Sequence, residues 1–256
     1  MTFKISIGSL AVMLALSMAR PAFCAEKPTL YLIGDSTVKA NMAGGQGWGE
    51  VIDKSFDTSK IHVEDDALAA RSSRTFFTEG LWTAVEAKLK PGDFVLMQFG
   101  HNDLGVPSES YRASLHGVGA ETQDVTNQQT SKPETVHTYG WYMTKFVTDA
   151  KAHGAMPIIV SPVPRDKWTA DKVVRNAGQY GEWSADVAKT ENVPFLDLNS
   201  IVADKYDALG KDKVTEFYFL PDLTHTKPAG AKVNAESVVE GIKALKDSPL
   251  SKYLAK

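Results

Sequence analysis

The chain has 256 residues, of which 43% are hydrophobic, 23% charged and 9% aromatic, and its formal net charge is −3. A chain of this length accommodates one α/β domain whose core is large enough to fold without metal or disulfide cross-links. The weak acidity and the lack of any basic cluster exclude nucleic acid as a partner.

The first 24 residues predict a secretory signal peptide. Lys4 supplies a positive start, Ile5–Met18 is an apolar run too short to span a bilayer, and small residues follow around Cys24. Cys24 is the only cysteine, so no internal disulfide is expected. We expect residues 1–24 to be cleaved on export to the periplasm or medium and residues 25–256 to form one domain. An uncleaved anchor or a lipidated Cys24 is the alternative.

Short apolar runs then alternate with segments of helical period. The predicted strands are Thr29–Ile33, Ile61–Val63, Phe94–Phe99, Pro157–Val160 and Pro194–Leu198. The predicted helices are Trp48–Phe56, Gly80–Lys88, Trp141–Ala152, Tyr180–Thr190 and Ala229–Leu245. Alternating strands and helices predict a doubly wound parallel sheet of five strands with helices on both faces, a three-layer α/β/α fold.

One long segment, Leu104–Thr138, does not fit this alternation. It is polar, has no clear period and begins directly after a predicted strand. Loops of this length in compact domains are usually functional or mobile, so we expect it to border a site.

Polar side chains follow the predicted strands, where parallel sheets bind their ligands. Ser36 follows the first strand, Ala70 lies a few residues after the second, and Asn102 follows the third. Asp222 and His225 precede the last helix. A hydroxyl, an imidazole with a carboxylate, and several N–H donors are the groups that acyl transfer through a serine requires.

Each of these residues is assigned a chemical role. Ser36 is the candidate nucleophile and His225 the base that takes its proton. Asp222, three residues before His225, is close enough to orient the imidazole. The backbone N–H groups of Ser36 and Ala70 and the side-chain amide of Asn102 are the candidate oxyanion donors.

The same residues lie in motifs that resemble those of SGNH (GDSL-type) hydrolases, and in particular the rhamnogalacturonan acetylesterase branch. The matching stretches are Gly34-Asp35-Ser36-Thr37-Val38, Gly47-Trp48-Gly49, Ala70–Phe76, Gly100-His101-Asn102-Asp103, His137–Trp141 and Asp222-Leu223-Thr224-His225. The resemblance implies a flavodoxin-like fold and a cofactor-independent serine esterase that removes acetyl groups from pectin. The family usually has Gly in place of Ala70, which alanine can replace if the turn keeps φ negative or tolerates a Cβ.

Structural interpretations remain for single residues. Ser36 alone could cap a helix, and Asn102 could only tie a turn together. Asp222 and His225 could form half of a metal site, but neither His-Glu-x-x-His nor a cysteine pair completes one. We therefore expect no metal and no cofactor.

Substrate contacts are less specific in the sequence. His101 either touches substrate or makes a buried structural hydrogen bond. Arg71 either binds a uronate carboxylate or forms a structural ion pair, and the same applies to Arg74. Trp48 and Trp141 lie near predicted strand-end loops, as Trp168 does, and could stack on a sugar or belong to the core. Arg165 could join Arg71 and Arg74 in a local positive field.

The leading hypothesis is an exported, monomeric esterase that acts on an acetylated polysaccharide or oligosaccharide, most readily rhamnogalacturonan, without membrane contact after cleavage. Acetylated xylan or another acyl ester is the alternative substrate. The polar residues of 104–138 favour a sugar over a lipid-like ester. A periplasmic sugar-binding protein without catalysis is the alternative of another class, although such proteins usually have two domains.

Overall fold

The computed structural model describes Met1 and residues 26–175, 179–246 and 248–256. The signal peptide predicted for residues 1–24 lies outside these residues apart from Met1. No helix in the described part of the chain is long and apolar enough to cross a membrane.

Strands and helices alternate through most of the described chain. The strands are β1 (Thr29–Gly34), β2 (His62–Asp65), β3 (Phe94–Gln98), β4 (Thr122–Thr126), β5 (Pro133–His137), β6 (Met156–Val160), β7 (Trp168–Thr169), β8 (Lys172–Val173) and β9 (Phe195–Leu196). The α-helices are α1 (Gly49–Ile52), α2 (Ser73–Thr78), α3 (Leu81–Glu86), α4 (Tyr139–Ala152), α5 (Tyr180–Thr190), α6 (Leu198–Leu209), α7 (Lys211–Tyr218) and α8 (Pro228–Ala244). Short 3₁₀ helices cover Asp53–Ser55 and Pro249–Tyr253.

Five strands form the central sheet, in the order β2-β1-β3-β6-β9, and all neighbours are parallel. Counted within the sheet, this is the 2-1-3-4-5 order of flavodoxin-like folds. The predicted five-stranded parallel sheet is confirmed. The strand order reverses between β1 and β3, so a crevice opens beyond their carboxyl ends, where Ser36 and Asn102 lie.

Side chains along the central strands alternate between two cores. Leu30 and Leu32 of β1 pack with residues of α1, α6 and α8, whereas Tyr31 and Ile33 pack with residues of α2 to α5. All six residues of β1 are buried. Burial on both faces explains why this strand is a continuous apolar run, and it fixes the position of the turn that follows it.

The segment Leu104–Thr138 contains structure that the sequence analysis did not predict. The strands β4 and β5 form an antiparallel hairpin within it, with Asp124 opposite Thr135. Arg74 of α2 is fully buried and pairs with Glu134 of β5 at 2.7 Å. This ion pair attaches the hairpin to the main domain. Helices α2, α6 and α7 were also not predicted.

Candidate active site

Ser36 lies in a turn directly after β1. The carboxylate of Asp35 accepts hydrogen bonds from the backbone N–H and the hydroxyl of Thr37, both at 2.8 Å. The Asp35 carbonyl accepts from the Lys39 N–H at 3.0 Å. Gln98, the last residue of β3, donates to the Thr37 hydroxyl at 2.6 Å. These bonds connect the turn to the sheet. Ser36, which is 7% exposed, is therefore held at the point where the strand order reverses, between β1 and β3.

The side chains of Ser36, His225 and Asp222 form a chain of hydrogen bonds. The Ser36 Oγ is 2.8 Å from Nε2 of His225, and Nδ1 of His225 is 2.7 Å from Oδ2 of Asp222. With the proton on Nδ1 directed at the carboxylate, Nε2 is free to accept the serine proton. The geometry is that of a serine nucleophile, its general base and the acceptor that orients the base.

His225 lies in a closed loop between α7 and α8. Leu220 donates its N–H to the carbonyl of His225 at 2.8 Å. Thr226 exchanges two hydrogen bonds with Gln46, one in each direction, at 2.7 and 2.8 Å. Leu223, at the apex of the loop, has φ +61°, a left-handed conformation that is costly for a branched residue. The loop is therefore held in a defined shape that aims the imidazole at Ser36.

The Asp222 carboxyl is held in its ionised form. Partial burial raises its pKa, but hydrogen bonds from the backbone N–H groups of His225 and Thr224, with the contact to the imidazole, outweigh this effect and lower the pKa below the ordinary value. An ionised Asp222 stabilises the imidazolium that forms when His225 takes a proton.

Ala70 occupies the third position of a tight turn. The Arg71 N–H donates to the carbonyl of Leu68 at 3.3 Å, and Ala70 has φ +64°. The sequence allowed alanine here if φ were negative or if the turn tolerated a Cβ. Because φ is positive, the second condition applies, and the turn holds the alanine in a left-handed conformation. Among the described residues, no acceptor takes the N–H of Ala70 or that of Ser36. Both N–H groups are thus available to an oxyanion.

Asn102 lies beside this turn. Its Nδ2 donates to the carbonyl of Arg71 at 3.0 Å, and its Oδ1 accepts from Nη1 of Arg112 at 3.1 Å. These two contacts fix which end of the amide is the donor. The second hydrogen on Nδ2 has no acceptor in the described part of the chain, so the amide has a donor left for the oxyanion.

His101 is a buried residue behind the site rather than part of its surface. The Arg165 guanidinium donates to the His101 carbonyl at 3.0 Å and approaches Nδ1 at 3.4 Å. Burial lowers the pKa of His101, and Arg165 lowers it further against the opposing effect of Asp35. The imidazole is therefore neutral near pH 7, and the structural interpretation of His101 fits better than substrate contact.

For three other candidates for substrate contact, the sequence left a structural and a substrate-binding role open. Trp48 is 1% exposed and donates from Nε1 to Gln98, so its ring belongs to the core. Arg71 pairs with Glu79 at 2.8 Å, which favours its structural role. Trp141 is partly exposed, and one face of its ring stacks on the imidazole of His137, with the two ring centroids 3.7 Å apart.

Two residues at the site were not identified from the sequence. Gln98 lies at the end of a buried strand, where a polar side chain is unusual, and this signal could have identified it. Arg112 lies in a stretch without periodicity, and nothing in the sequence distinguishes it. No group of three or more His, Cys, Asp or Glu side chains that could hold a metal ion exists within the described ranges.

The chain is similar in sequence to known proteins over most of its length. The model of the GDSL-like lipase/acylhydrolase family matches residues 32–233. A rhamnogalacturonan acetylesterase of Emericella nidulans is 29% identical over 215 residues, which cover 84% of each chain. The probable rhamnogalacturonan acetylesterase YesY of Bacillus subtilis is 28% identical over 89% of this chain and 97% of YesY.

Solved structures share the fold. The YxiM protein of Bacillus subtilis superposes with a TM-score of 0.69 and 23% identity over 85% of this chain and 56% of YxiM, so this chain spans just over half of that protein. The acetylxylan esterase Axe2 of Geobacillus stearothermophilus gives a TM-score of 0.56 and 15% identity over 84% of this chain and 93% of Axe2. At these identities the likeness concerns the fold alone.

Proposed function

This chain belongs to the GDSL-like lipase/acylhydrolase family and is a carboxylic-ester hydrolase, and on that premise we propose that it removes O-acetyl groups from an acetylated polysaccharide, with rhamnogalacturonan as its preferred substrate. The observation that carries the proposal is the hydrogen-bonded series Ser36, His225 and Asp222 beside N–H donors without acceptors. A sugar-binding protein has no need of such an arrangement.

In the first half of the reaction, Ser36 Oγ attacks the carbonyl carbon of the acetyl ester while His225 Nε2 takes the hydroxyl proton. The backbone N–H groups of Ser36 and Ala70 and the amide of Asn102 donate to the oxyanion. When this intermediate collapses, the bond to the sugar oxygen breaks and that oxygen receives the proton from His225. The sugar leaves with a free hydroxyl and the acetyl group remains on Ser36.

In the second half, a water molecule attacks the acetyl carbonyl and gives one proton to His225. Collapse of the second intermediate breaks the bond to Ser36 Oγ, which takes the proton back from His225, and acetic acid leaves and loses its remaining proton to solvent as acetate. Each turnover consumes one water and returns Ser36 and His225 to their starting protonation states. No step needs a cofactor.

The proposed substrate is supported by two observations. The relatives of similar length carry the name rhamnogalacturonan acetylesterase at 27–29% identity. The hairpin of β4 and β5 presents an exposed and mostly polar surface, which suits a hydrated sugar chain better than an acyl chain. The acetylxylan esterases with the same fold make xylan the substrate against which this proposal has to be compared.

We also propose that the protein acts outside the cytoplasm, where polysaccharide is encountered. This rests on the composition of residues 1–24. Expression of the full chain in a bacterial host, followed by mass determination of the protein in the periplasm and medium, tests the proposal. A mass lacking the first two dozen residues supports it, and an uncleaved cytoplasmic product contradicts it.

The substrate proposal is tested under the same conditions by measuring acetate release from acetylated rhamnogalacturonan and from acetylated xylan, and 4-nitrophenol release from 4-nitrophenyl butyrate. We expect the highest kcat/KM on rhamnogalacturonan. A higher kcat/KM on xylan would retain the deacetylase and replace its substrate. Preference for the butyrate ester with no acetate released from either polysaccharide would overturn the proposal.

A further inference from the structure

Hydrogen bonds anchor the chain on both sides of Arg112, although this stretch has no regular secondary structure. The guanidinium of Arg74, a fully buried residue of α2, donates from Nη1 to the carbonyl of Ala113 at 2.7 Å and to that of Ser110 at 3.3 Å. These carbonyls lie one residue after Arg112 and two residues before it. The position of Arg112 is therefore fixed by a buried cation of the main domain rather than by a local helix or strand.

A second anchor connects the same stretch to the strand end that carries the oxyanion amide. The N–H of Ser114 donates to the carbonyl of Asp103 at 3.1 Å, and Asp103 directly follows Asn102 in the chain. Ser114 and Asp103 are both fully buried. The two anchors together hold Arg112 against the side chain of Asn102.

Both ends of the Asn102 amide are hydrogen-bonded. Nη1 of Arg112 donates to Oδ1 at 3.1 Å, and Nδ2 donates at 3.0 Å to the carbonyl of Arg71, in the turn that contains Ala70. Arg112 is partly exposed, and no carboxylate of the described residues forms an ion pair with it. A cation that donates to Oδ1 withdraws electron density from the amide, so the N–H groups on Nδ2 become stronger donors.

The same contact decides which end of the amide faces the reaction. Arg112 carries donors and no acceptor, so Oδ1 of Asn102 has to point towards it. An amide turned by 180° would place its NH₂ group against the guanidinium and its oxygen against the Arg71 carbonyl, and both contacts would be repulsive. Arg112 therefore opposes the orientation in which Asn102 has no donor for an oxyanion.

We propose that Arg112 is a positioning residue of the oxyanion site, which orients the Asn102 amide and strengthens the N–H that this amide donates to the developing negative charge. Arg112 acts through Asn102 and does not itself touch the reacting atoms. The long segment 104–138 thereby contributes a charge to catalysis as well as a surface. The proposal rests on the serine mechanism described above.

The test is a double-mutant cycle on kcat with 4-nitrophenyl acetate, a neutral substrate that excludes any effect of Arg112 on a charged ligand. The full chain, Arg112→Met, Asn102→Ala and the double variant are compared, with Arg175→Met as control. Arg175 is matched in type but pairs with Asp204 and Asp207 on α6. Urea denaturation of each variant establishes that it is folded.

We expect Arg112→Met to lower kcat about ten-fold with little change in KM, because a charge-assisted contact is lost where negative charge develops. With Asn102→Ala already present, the same substitution should change kcat by less than about two-fold, since the amide through which Arg112 acts is gone. Arg112→Lys keeps the charge and should recover part of the loss, whereas Arg175→Met should leave kcat unchanged. Arg112→Gln is taken through the same cycle, so that the result stands if the methionine variant does not fold.

Three results would overturn the role of Arg112: an unchanged kcat in Arg112→Met and Arg112→Gln, a rise in KM alone, or the same fold-loss of kcat whether or not Asn102 is present. Ser36→Ala, measured alongside, separates this role from the mechanism on which it rests. Hydrolysis that does not require Ser36 overturns both. Hydrolysis that requires Ser36 without coupling between Arg112 and Asn102 overturns the role of Arg112 alone.

Discussion

The Oγ of Ser36 lies 2.8 Å from Nε2 of His225, although 189 residues separate the two in the chain. The contact follows from topology. Ser36 is in the turn that ends β1, next to the point where strand order reverses, and the loop before α8 returns the chain to the same edge of the sheet. Local interactions hold each partner separately, Asp35 on one side and the Leu220–His225 bond on the other.

The role of Asp222 is tested by Asp222→Asn. The variant can keep an oxygen for the backbone N–H groups of Thr224 and His225, but its NH₂ group then faces Nδ1 of His225 and favours the imidazole tautomer that cannot accept the Ser36 proton. We expect kcat to fall by about 10²–10⁴-fold, towards the lower end because the Asp222 side chain is 46% exposed. Steady-state kinetics with 4-nitrophenyl acetate measures this, with the exposed Asp212→Asn as control. A loss below about three-fold would mean that Asp222 does not orient the base.

Asn102 is expected to act mainly in the transition state. Asn102→Ala should lower kcat by about 10²–10³-fold with little change in KM, because the N–H is used when negative charge develops. Asn102→Asp keeps an acceptor for Arg112 but has no donor, so its kcat should be at least as low. A rise in KM at constant kcat would instead assign Asn102 to binding of the ground state.

Ala70→Gly should remove backbone strain while keeping the N–H. A left-handed conformation costs alanine about 1–2 kcal/mol, which Ala70→Gly removes. The greater conformational freedom of glycine in the unfolded chain opposes this gain by about 0.4–1 kcal/mol. We expect the free energy of unfolding to rise by up to about 1 kcal/mol, with kcat retained. Ala69, the neighbouring residue of the same turn, is not among the residues with positive φ. Ala69→Gly should therefore lower the stability by about 0.5–1 kcal/mol in urea denaturation. Equal losses from both substitutions would contradict the left-handed conformation of Ala70.

The buried carboxyl of Asp65 should make the stability of the folded protein depend on pH. Burial raises the pKa of its carboxyl to about 7 from an ordinary 3.8, although Lys39 opposes the shift, and Oδ2 has no hydrogen-bond partner among the described residues. A raised folded-state pKa favours folding at low pH, and this contribution is lost as the pH rises through 7. Asp65→Asn keeps an acceptor for the Ala67 N–H and carries no charge.

The stability of Asp65→Asn relative to the unmodified protein should therefore increase by about 2–3 kcal/mol between pH 5 and pH 8. Urea denaturation at the two pH values measures the difference. Asp57 is a partly exposed carboxyl whose pKa is lowered to about 2 by its hydrogen bond from Lys60, so Asp57→Asn should show no such change in this range. An equal response of the two variants would show that burial of Asp65 is not the cause.

The sheet and the catalytic side chains were predictable from the sequence for the same reason. A strand buried on both faces is a continuous apolar run, and the residues directly after it lie at the edge where α/β sheets bind ligands. Ser36 and Asn102 are both in this position. Helix α6 was not predicted, although its sequence carries a signal that could have identified it: Asp197 caps its first turn, and Leu198, Val202 and Tyr206 recur every four residues.

Other features depend on tertiary contacts that no local pattern records. The strands of the β4–β5 hairpin are polar and largely exposed, so they show little alternation of apolar and polar residues. The position of the hairpin depends on the ion pair between Arg74 and Glu134. Trp48 lies next to a glycine-rich loop, yet its ring is covered by the core and its Nε1 bonded to Gln98. The position of Arg112 against Asn102 depends on how an aperiodic segment folds back over the site.

The central claim is that Ser36 carries the acetyl group during hydrolysis of an acetylated polysaccharide. Its most direct test is the rate of acetate release from acetylated rhamnogalacturonan by the unmodified protein and by Ser36→Ala, with circular dichroism showing that both are folded. We predict release by the unmodified protein and a loss of about 10³-fold or more in the variant, since the members of such a triad act as a unit. Comparable release by Ser36→Ala would contradict the account, because Ser36 is the only nucleophile that contacts His225 within the described ranges of the chain.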